Sequence, residues 1–198
     1  MPTEKLFLRI IAGAYGGRQL DTPPPQSTTT RPMLDRVKEA LFDILARRID
    51  GIRILDLCSG TGSLGLEALS RGAKHVTFVE GDGRNVKLIQ GNIAKLGVEA
   101  KTSVLKGELP SILNRIHGPF ELVLFDPPYR SELVEHVMPR LATKNYLVAN
   151  AIIMIHRDRR SPPLKLANYE IDRRHRVGDS ELWFLRFGTP GSGGKGDE

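Results

Sequence analysis

From residue 52 onward the sequence alternates short apolar runs with amphipathic ones, an order few folds tolerate. Residues 52–57, 75–80, 102–105, 120–125 and 151–156 are rich in β-branched and aromatic side chains and read as strands. Between them, 64–70, 85–96, 109–116 and 132–141 carry apolar residues at helical spacing. Strands joined by helical crossovers pair in parallel, and right-handed crossovers lay the helices over both faces of the sheet. Residues 169–176 and 181–187 follow, with a turn signal at Gly178-Asp179, and read as a closing antiparallel pair. The expected architecture is therefore α/β: a mostly parallel sheet with helices on both faces.

Upstream lies an extension. Residues 6–11 are strand-like, Gly16-Gly17 punctuates, and 18–20 return, which predicts a small hairpin. Three prolines at 23–25 and three threonines at 28–30 read as an extended loop. Pro32 suits the first turn of a helix, along which Leu34, Val37, Leu41, Ile44, Leu45 and Ile49 form one apolar stripe. The expected division is an extension over 1–30, a main domain over 31–187 and a glycine-rich flexible tail over 188–198.

Two chemical motifs end strands at what should be one edge of this sheet. The first is Asp56-Leu57-Cys58-Ser59-Gly60-Thr61-Gly62-Ser63-Leu64-Gly65. Gly60, Gly62 and Gly65 make the G-x-G-x-x-G pattern between strand and helix, where a backbone free of Cβ atoms can approach a ligand. The next strand ends in an acid, Glu80, suited to ribose hydroxyls. A dinucleotide pyrophosphate prefers positive potential at such a loop, so Asp56 is unfavourable there. The same acid suits S-adenosylmethionine, whose methionine part carries a sulfonium and an ammonium. Cys58 has no histidine near it in sequence and reads as a packing residue rather than a nucleophile.

The second motif is Asp126-Pro127-Pro128-Tyr129. Prolines stiffen the turn and donate no hydrogen bond, which leaves the Asp126 carboxylate and the Pro127 carbonyl as acceptors. Two acceptors can hold the two N–H groups of an exocyclic amine. Tyr129 can stack on a base turned out of its helix. Methyl transfer to such an amine is a direct displacement, so alignment supplies much of the rate and strong base catalysis is unnecessary. Asp126 can stabilise the charge that develops on nitrogen and later accept a proton.

At these residues the chain resembles class I S-adenosylmethionine-dependent methyltransferases that act on amines. The stretch 56–62, including Ser59, Gly60 and Gly62, is similar to their first motif, Glu80 to their ribose-binding acid, and 126–129 to their catalytic motif. The resemblance implies a Rossmann-like, mostly parallel seven-stranded sheet with its last strand antiparallel. A narrower likeness extends from about residue 9 to 187, to the bacterial small-subunit ribosomal RNA guanine-N2 methyltransferase family. It is carried by Arg9-Ile10-Ile11-Ala12-Gly13, Gly17-Arg18-Gln19-Leu20, Thr30-Arg31-Pro32, Asp35-Arg36-Val37-Lys38-Glu39, Leu41-Phe42 and Leu66-Glu67-Ala68-Leu69-Ser70-Arg71-Gly72. What it implies is S-adenosylmethionine as cofactor and methylation of N2 of one guanine in 16S ribosomal RNA, understood in that family as nucleotide 966. Small-subunit particles are the substrate that the family implies. Many members have an acidic or small residue near the adenine ring. Here Glu108 is a candidate for that contact, and an exposed helix-start carboxylate is the equal alternative.

Charge agrees with a polyanionic partner. The 198-residue chain has a formal net charge of +6, and residues 157–176 hold seven Lys and Arg against three acids. Arg9, Arg18, Arg31 and Arg36, outside the core sheet, are candidates for RNA phosphates. The histidines, His75, His117, His136, His156 and His175, have no metal-ligand spacing and read as structural or surface groups; Trp183 reads as core. No metal is expected, and nothing demands more than a monomer. One cysteine excludes an intrachain disulfide, and no apolar run has membrane-spanning length, so the expected compartment is the cytoplasm.

Three other readings stay open. A DNA adenine-N6 methyltransferase could use the same Asp-Pro-Pro-Tyr chemistry, although no sizeable target-recognition domain is evident. A nicotinamide-dependent oxidoreductase conflicts with Asp56. A non-catalytic RNA-binding module conflicts with an intact Asp126 and Tyr129.

Overall fold

The computed structural model describes residues 8–23, 33–128, 131–143, 145–164 and 166–188. The expected proline- and threonine-rich loop beyond Pro23, together with Pro32, Tyr129 and nearly all of the expected tail, lies outside them. A two-stranded antiparallel hairpin, β1 (Leu8–Arg9) and β2 (Gln19–Leu20), precedes helix α1 (Asp35–Leu45). Then follow β3 (Arg53–Leu57), α2 (Ser63–Ser70), β4 (His75–Glu80), α3 (Gly83–Leu96), β5 (Thr102–Lys106), β6 (Phe120–Phe125), α4 (Leu133–Thr143), β7 (Leu147–Asp158), β8 (Tyr169–Val177) and β9 (Ser180–Phe187).

The seven strands β3–β9 form one sheet in the order β5-β4-β3-β6-β7-β9-β8. The five strands from β5 to β7 are parallel, and β9 inserts antiparallel between β7 and β8. The chain winds outward from β3 through β4 to β5, then restarts at β6 on the other side. The switch point is the crevice between the C-terminal ends of β3 and β6, where open α/β sheets bind ligands. Leu57 pairs with Phe125, so Cys58 and Asp126 leave the sheet side by side.

Alternate strand residues feed two apolar layers. Ile54, Phe78, Leu124 and Met154 pack with the hairpin, α1, α2 and α3. Leu55, Val79, Phe125, Ile153 and Ile155 pack with α4 and the 111–115 turn. Both faces are covered, which accounts for the near-continuous hydrophobicity of the central strands.

The hairpin is locked to the main domain by buried polar groups. Glu67 on α2 is fully buried, and its carboxylate accepts the Ile11 N–H at 2.6 Å, the Ala12 N–H at 3.1 Å and the Arg71 Nε–H at 2.8 Å. Lys38, also fully buried, lies 3.7 Å from Glu67 and donates to the Arg9 carbonyl at 2.6 Å. Asn92 on α3 accepts the Asp21 N–H at 2.7 Å and donates to the carbonyls of Asp21 and Thr61, both at 3.2 Å. One side chain thus joins the end of the hairpin to the glycine loop.

Several elements differ from the sequence expectation. The helix expected over 109–116 is a 3-10 segment, Ser111–Arg115. Pro110 precedes it, Pro119 cannot continue it, and the chain must cross back to the start of β6. Regular α1 starts at Asp35, and Ile49 is buried beyond its end in the turn to β3. The last parallel strand is longer than its 151–156 core, with a register shift opposite Phe120 and Leu122.

Candidate active site

At the end of β3 the backbone turns sharply. Cys58, Gly60 and Gly62 have φ of 58°, 56° and 79°, and Ser63 begins α2. A Cβ on Gly65 would lie 2.3 Å from Phe78 Cε1, so this glycine lets α2 press onto β4. Ser59 pins the loop to the neighbouring strand. Its hydroxyl donates to the carbonyls of Asp56 (2.7 Å) and Val79 (3.2 Å) and accepts the Val79 N–H at 3.0 Å.

The expected acids gather around this loop. Asp56 is buried, 1% exposed, and accepts the Gly65 N–H at 3.0 Å. Burial pushes its carboxyl well above the usual range, an effect that the Gly65 hydrogen bond opposes and nearby Asp126 and Glu80 reinforce. Glu80 accepts the Gly60 N–H at 2.8 Å and the Asp82 N–H at 2.9 Å, bracing the loop from β4. Glu108, after β5, is exposed, and its carboxylate leans over Gly81, where an added Cβ would come within 2.6 Å of Oε1. Cys58 sits amid these groups; burial, with Glu80, Asp126, Asp56 and Glu108 around it, pushes its thiol up, so it is no nucleophile at neutral pH. Among the described residues no group of three or more His, Cys, Asp or Glu side chains is arranged to hold a metal ion.

Across the switch point stands Asp126, its N–H donating to the Leu57 carbonyl at 3.4 Å. Its carboxylate meets a residue that sequence reasoning assigned a structural or surface role. His156 Nδ1 lies 2.7 Å from Asp126 Oδ1, and the ring is buried in β7. The pairing register Phe125–Ile155 brings the two together, a relationship that sequence spacing alone does not reveal. Pro127 is buried and Pro128 exposed; the Pro128 carbonyl accepts the Ser131 N–H and hydroxyl at 3.0 and 2.8 Å. Beyond them opens a cavity of about 600 Å³ lined by Pro127, Pro128, Glu132, His156, Arg157 and Arg160, among others.

The arginines divide. Arg9 lies 3.7 Å from Asp35, and Arg36 follows on α1 with its guanidinium against Gly178. Arg18 turns instead toward α3, over the Tyr15 ring and onto the Lys95 carbonyl at 3.4 Å. Arg31 lies outside the described residues. Trp183 is buried in β9 as expected, with the guanidinium carbons of Arg157 and Arg174 over its ring at 4.7 and 4.0 Å.

Comparison with known proteins adds to this geometry. The family model described as "Conserved hypothetical protein 95" matches residues 8–186. The ribosomal RNA small subunit methyltransferase D of Haemophilus influenzae is 35% identical over 182 residues, covering 89% of this chain and 92% of its own. Its namesake from Escherichia coli K12 is 35% identical over 172 residues, covering 86% and 85%. A solved Escherichia coli structure, the methyltransferase candidate yhhF, superposes with a TM-score of 0.81 at 32% identity, covering 93% of this chain and 99% of that one. An RNA methyltransferase from Salinibacter ruber in complex with S-adenosyl-L-homocysteine has the same fold, with a TM-score of 0.64 at 16% identity over 85% and 100% of the chains.

Proposed function

This chain belongs to the conserved hypothetical protein 95 family, alongside the ribosomal RNA small subunit methyltransferases D, and on that premise we propose that it methylates small-subunit ribosomal RNA. The finer reading is transfer of a methyl group from S-adenosylmethionine to the exocyclic N2 of a guanine in 16S ribosomal RNA, nucleotide 966. The observation that carries it is the juxtaposition, across the switch point, of an acid-ringed glycine loop and the Asp126-Pro127 turn.

The donor set fits the cofactor. Acids surround the loop, as a sulfonium and an ammonium require, and Gly60 and Gly62 leave the backbone uncovered. Glu80 has acceptor capacity beyond its two backbone bonds, enough for ribose hydroxyls. Asp56 lies beneath the loop, so it acts by holding the start of α2; the cationic methionine part, when bound, would favour its ionised form. Glu108 is the candidate for the adenine amine. When bound, S-adenosylmethionine supplies an electrophilic methyl group on a neutral leaving group.

This chain's own part is to hold the amine. Asp126, braced by His156, and the Pro127 carbonyl accept its two N–H groups, which aims the nitrogen lone pair at the crevice. As nitrogen becomes positive, the Asp126 carboxylate stabilises it and can take the proton that must leave. Tyr129 serves as the stacking platform. Arg9, Arg18, Arg31 and Arg36 are proposed contacts to RNA phosphates.

The test is transfer of label from S-adenosylmethionine to small ribosomal subunits from cells lacking this protein, with DNA and bulk protein in parallel. N2-methylguanosine in the subunit RNA is the expected product. Label in DNA as N6-methyladenine overturns the RNA reading. Asp126→Ala should lose at least about 100-fold in turnover while retaining cofactor affinity; full turnover in that variant removes Asp126 from the mechanism.

A further inference from the structure

The basic segment around residues 157–176 has no part in the chemistry above, and the fold gives it a location. Because β9 runs antiparallel to β7, with Asp158 paired to Ser180, the Gly178-Asp179 turn stands at the same sheet edge as Asp126. Guanidinium groups converge on this turn from three directions. Arg159, just beyond β7, pairs with Asp179 at 2.9 Å, and its N–H donates to the Asp179 carbonyl. Arg176, at the end of β8, donates to the Gly178 carbonyl at 3.3 Å. Arg36 arrives from α1, and a methyl group added to Gly178 would lie 2.9 Å from its guanidinium nitrogen. Arg160, held by Asp158 at 2.9 Å, lines the cavity beside Pro127 and His156.

We propose that Arg36, Arg159, Arg160 and Arg176 form a phosphate-binding collar that holds the RNA backbone on the catalytic rim, an inference that rests on the methyltransferase reading above. Four guanidinium groups face two carboxylates, Asp158 and Asp179, so the collar keeps net positive charge after its internal pairs form. All four arginines are exposed, and none supports the core. Exposed ion pairs contribute little to stability, so holding these charges at one turn has little value to the fold itself. It has a large value to a polyanion, because planar guanidinium groups match phosphate oxygens and release condensed counterions on binding. The position fits as well. Asp158 is two residues beyond His156, which at about 3.3 Å per residue sets the collar roughly 7 Å from the His156 side of the site. Arg160 belongs to both the cavity and the collar. A nucleotide held at Asp126 can therefore continue into a backbone held by these arginines.

The experiment measures binding of a small-subunit ribosomal RNA transcript as a function of salt, alongside cofactor binding and methyl transfer to subunits. Three variants are compared with wild type: Arg159→Ala/Arg176→Ala, Arg36→Ala, and Arg47→Ala/Arg48→Ala just beyond the opposite end of α1. The first two should weaken RNA binding and flatten the plot of log K against log salt by about 0.7–0.9 for each phosphate that is no longer neutralised. KM for RNA should rise severalfold, with turnover at saturation and cofactor affinity kept. The Arg47/Arg48 control should stay near wild type. If the collar variants match wild type, or the control weakens as much as they do, the collar is wrong even where methyl transfer to RNA is intact. If the wild-type protein binds no RNA and methylates another substrate, the parent reading falls with it.

Discussion

His156 Nδ1 stands 2.7 Å from Asp126 Oδ1, joining the ends of two adjacent parallel strands at the site. With Asp126 ionised, the bond requires the proton on Nδ1 and fixes the plane of the carboxylate. His156 is therefore a positioning residue. His156→Ala should lower kcat by about 10- to 100-fold, the value of one hydrogen bond to a charged group. Affinity for S-adenosylmethionine should hold, and His156→Asn, which keeps a donor, should recover part of the loss. Steady-state methyl transfer paired with cofactor titration checks this; unchanged kcat in the alanine variant would refute it.

Asp56 links stability to function in opposite senses. Its carboxyl is raised by burial, so between the ordinary and the raised value the folded state holds a proton that the unfolded state has lost. Stability must then fall as pH rises through that window and level off above it. Asp56→Asn keeps an acceptor for the Gly65 N–H and removes the cost of ionising a buried carboxyl. Its apo form should melt higher than wild type at neutral pH, with a flatter dependence on pH, yet bind S-adenosylmethionine about tenfold more weakly, because a buried carboxylate near the cationic methionine part is lost. Melting curves across pH, with and without cofactor, read both effects. A variant that melts lower, or binds as wild type, contradicts the assignment.

Gly65→Ala should be costly although the residue is helical and alanine favours helices. The new Cβ would meet Phe78 Cε1 at 2.3 Å, in a core with no slack. Overpacking of this kind costs about 1–3 kcal/mol, equivalent to a fall of roughly 2–12 °C in Tm for a chain of this size. Adding Phe78→Leu should return part of the loss. Strictly additive effects would show that the two residues are not in conflict.

The parallel sheet was legible because β6 is nearly all apolar, β3 carries Ile54, Leu55 and Leu57, and each runs into a chemical motif. Asp56, Glu80 and Asp126 could be picked out because acids at the C-terminal ends of adjacent parallel strands, where ligands bind, have few other uses. His156 could not. Its partner lies thirty positions away, and only the register of β6 on β7 brings ring and carboxylate together. The 109–116 segment misled because its apolar spacing is helical while its flanking prolines leave room for a 3-10 turn. The basic 157–176 segment and Arg36 were each visible in the chain, but their meeting was not: Arg36 and Gly178 are brought together by tertiary packing, not by any local pattern.

Glu67 stands in the chain only as part of the 66–72 stretch that carries the family likeness, yet its carboxylate is a main anchor of the N-terminal hairpin. Its carboxylate takes two backbone N–H groups, from Ile11 and Ala12, and it offsets the charge of buried Lys38. Burial lowers the Lys38 pKa, and Glu67 is the main influence opposing that shift. Glu67→Ala should thus cost about 3–5 kcal/mol, as expected when one member of a buried ion pair is removed. Glu67→Ala with Lys38→Met should regain part of that loss, because the fully buried ammonium is then gone and only the partly exposed Arg71 loses its partner. Hydrogen exchange supplies the local readout. In Glu67→Ala the amides of Ile11 and Ala12 should exchange far faster relative to global unfolding than those of β3 and β6. Since Asn92 ties the end of the same hairpin to Thr61, cofactor affinity should weaken as well. If the hairpin amides stay protected and cofactor binding is unchanged, the extension is held by its apolar contacts, Leu8, Ile10 and Leu20, and not by this carboxylate.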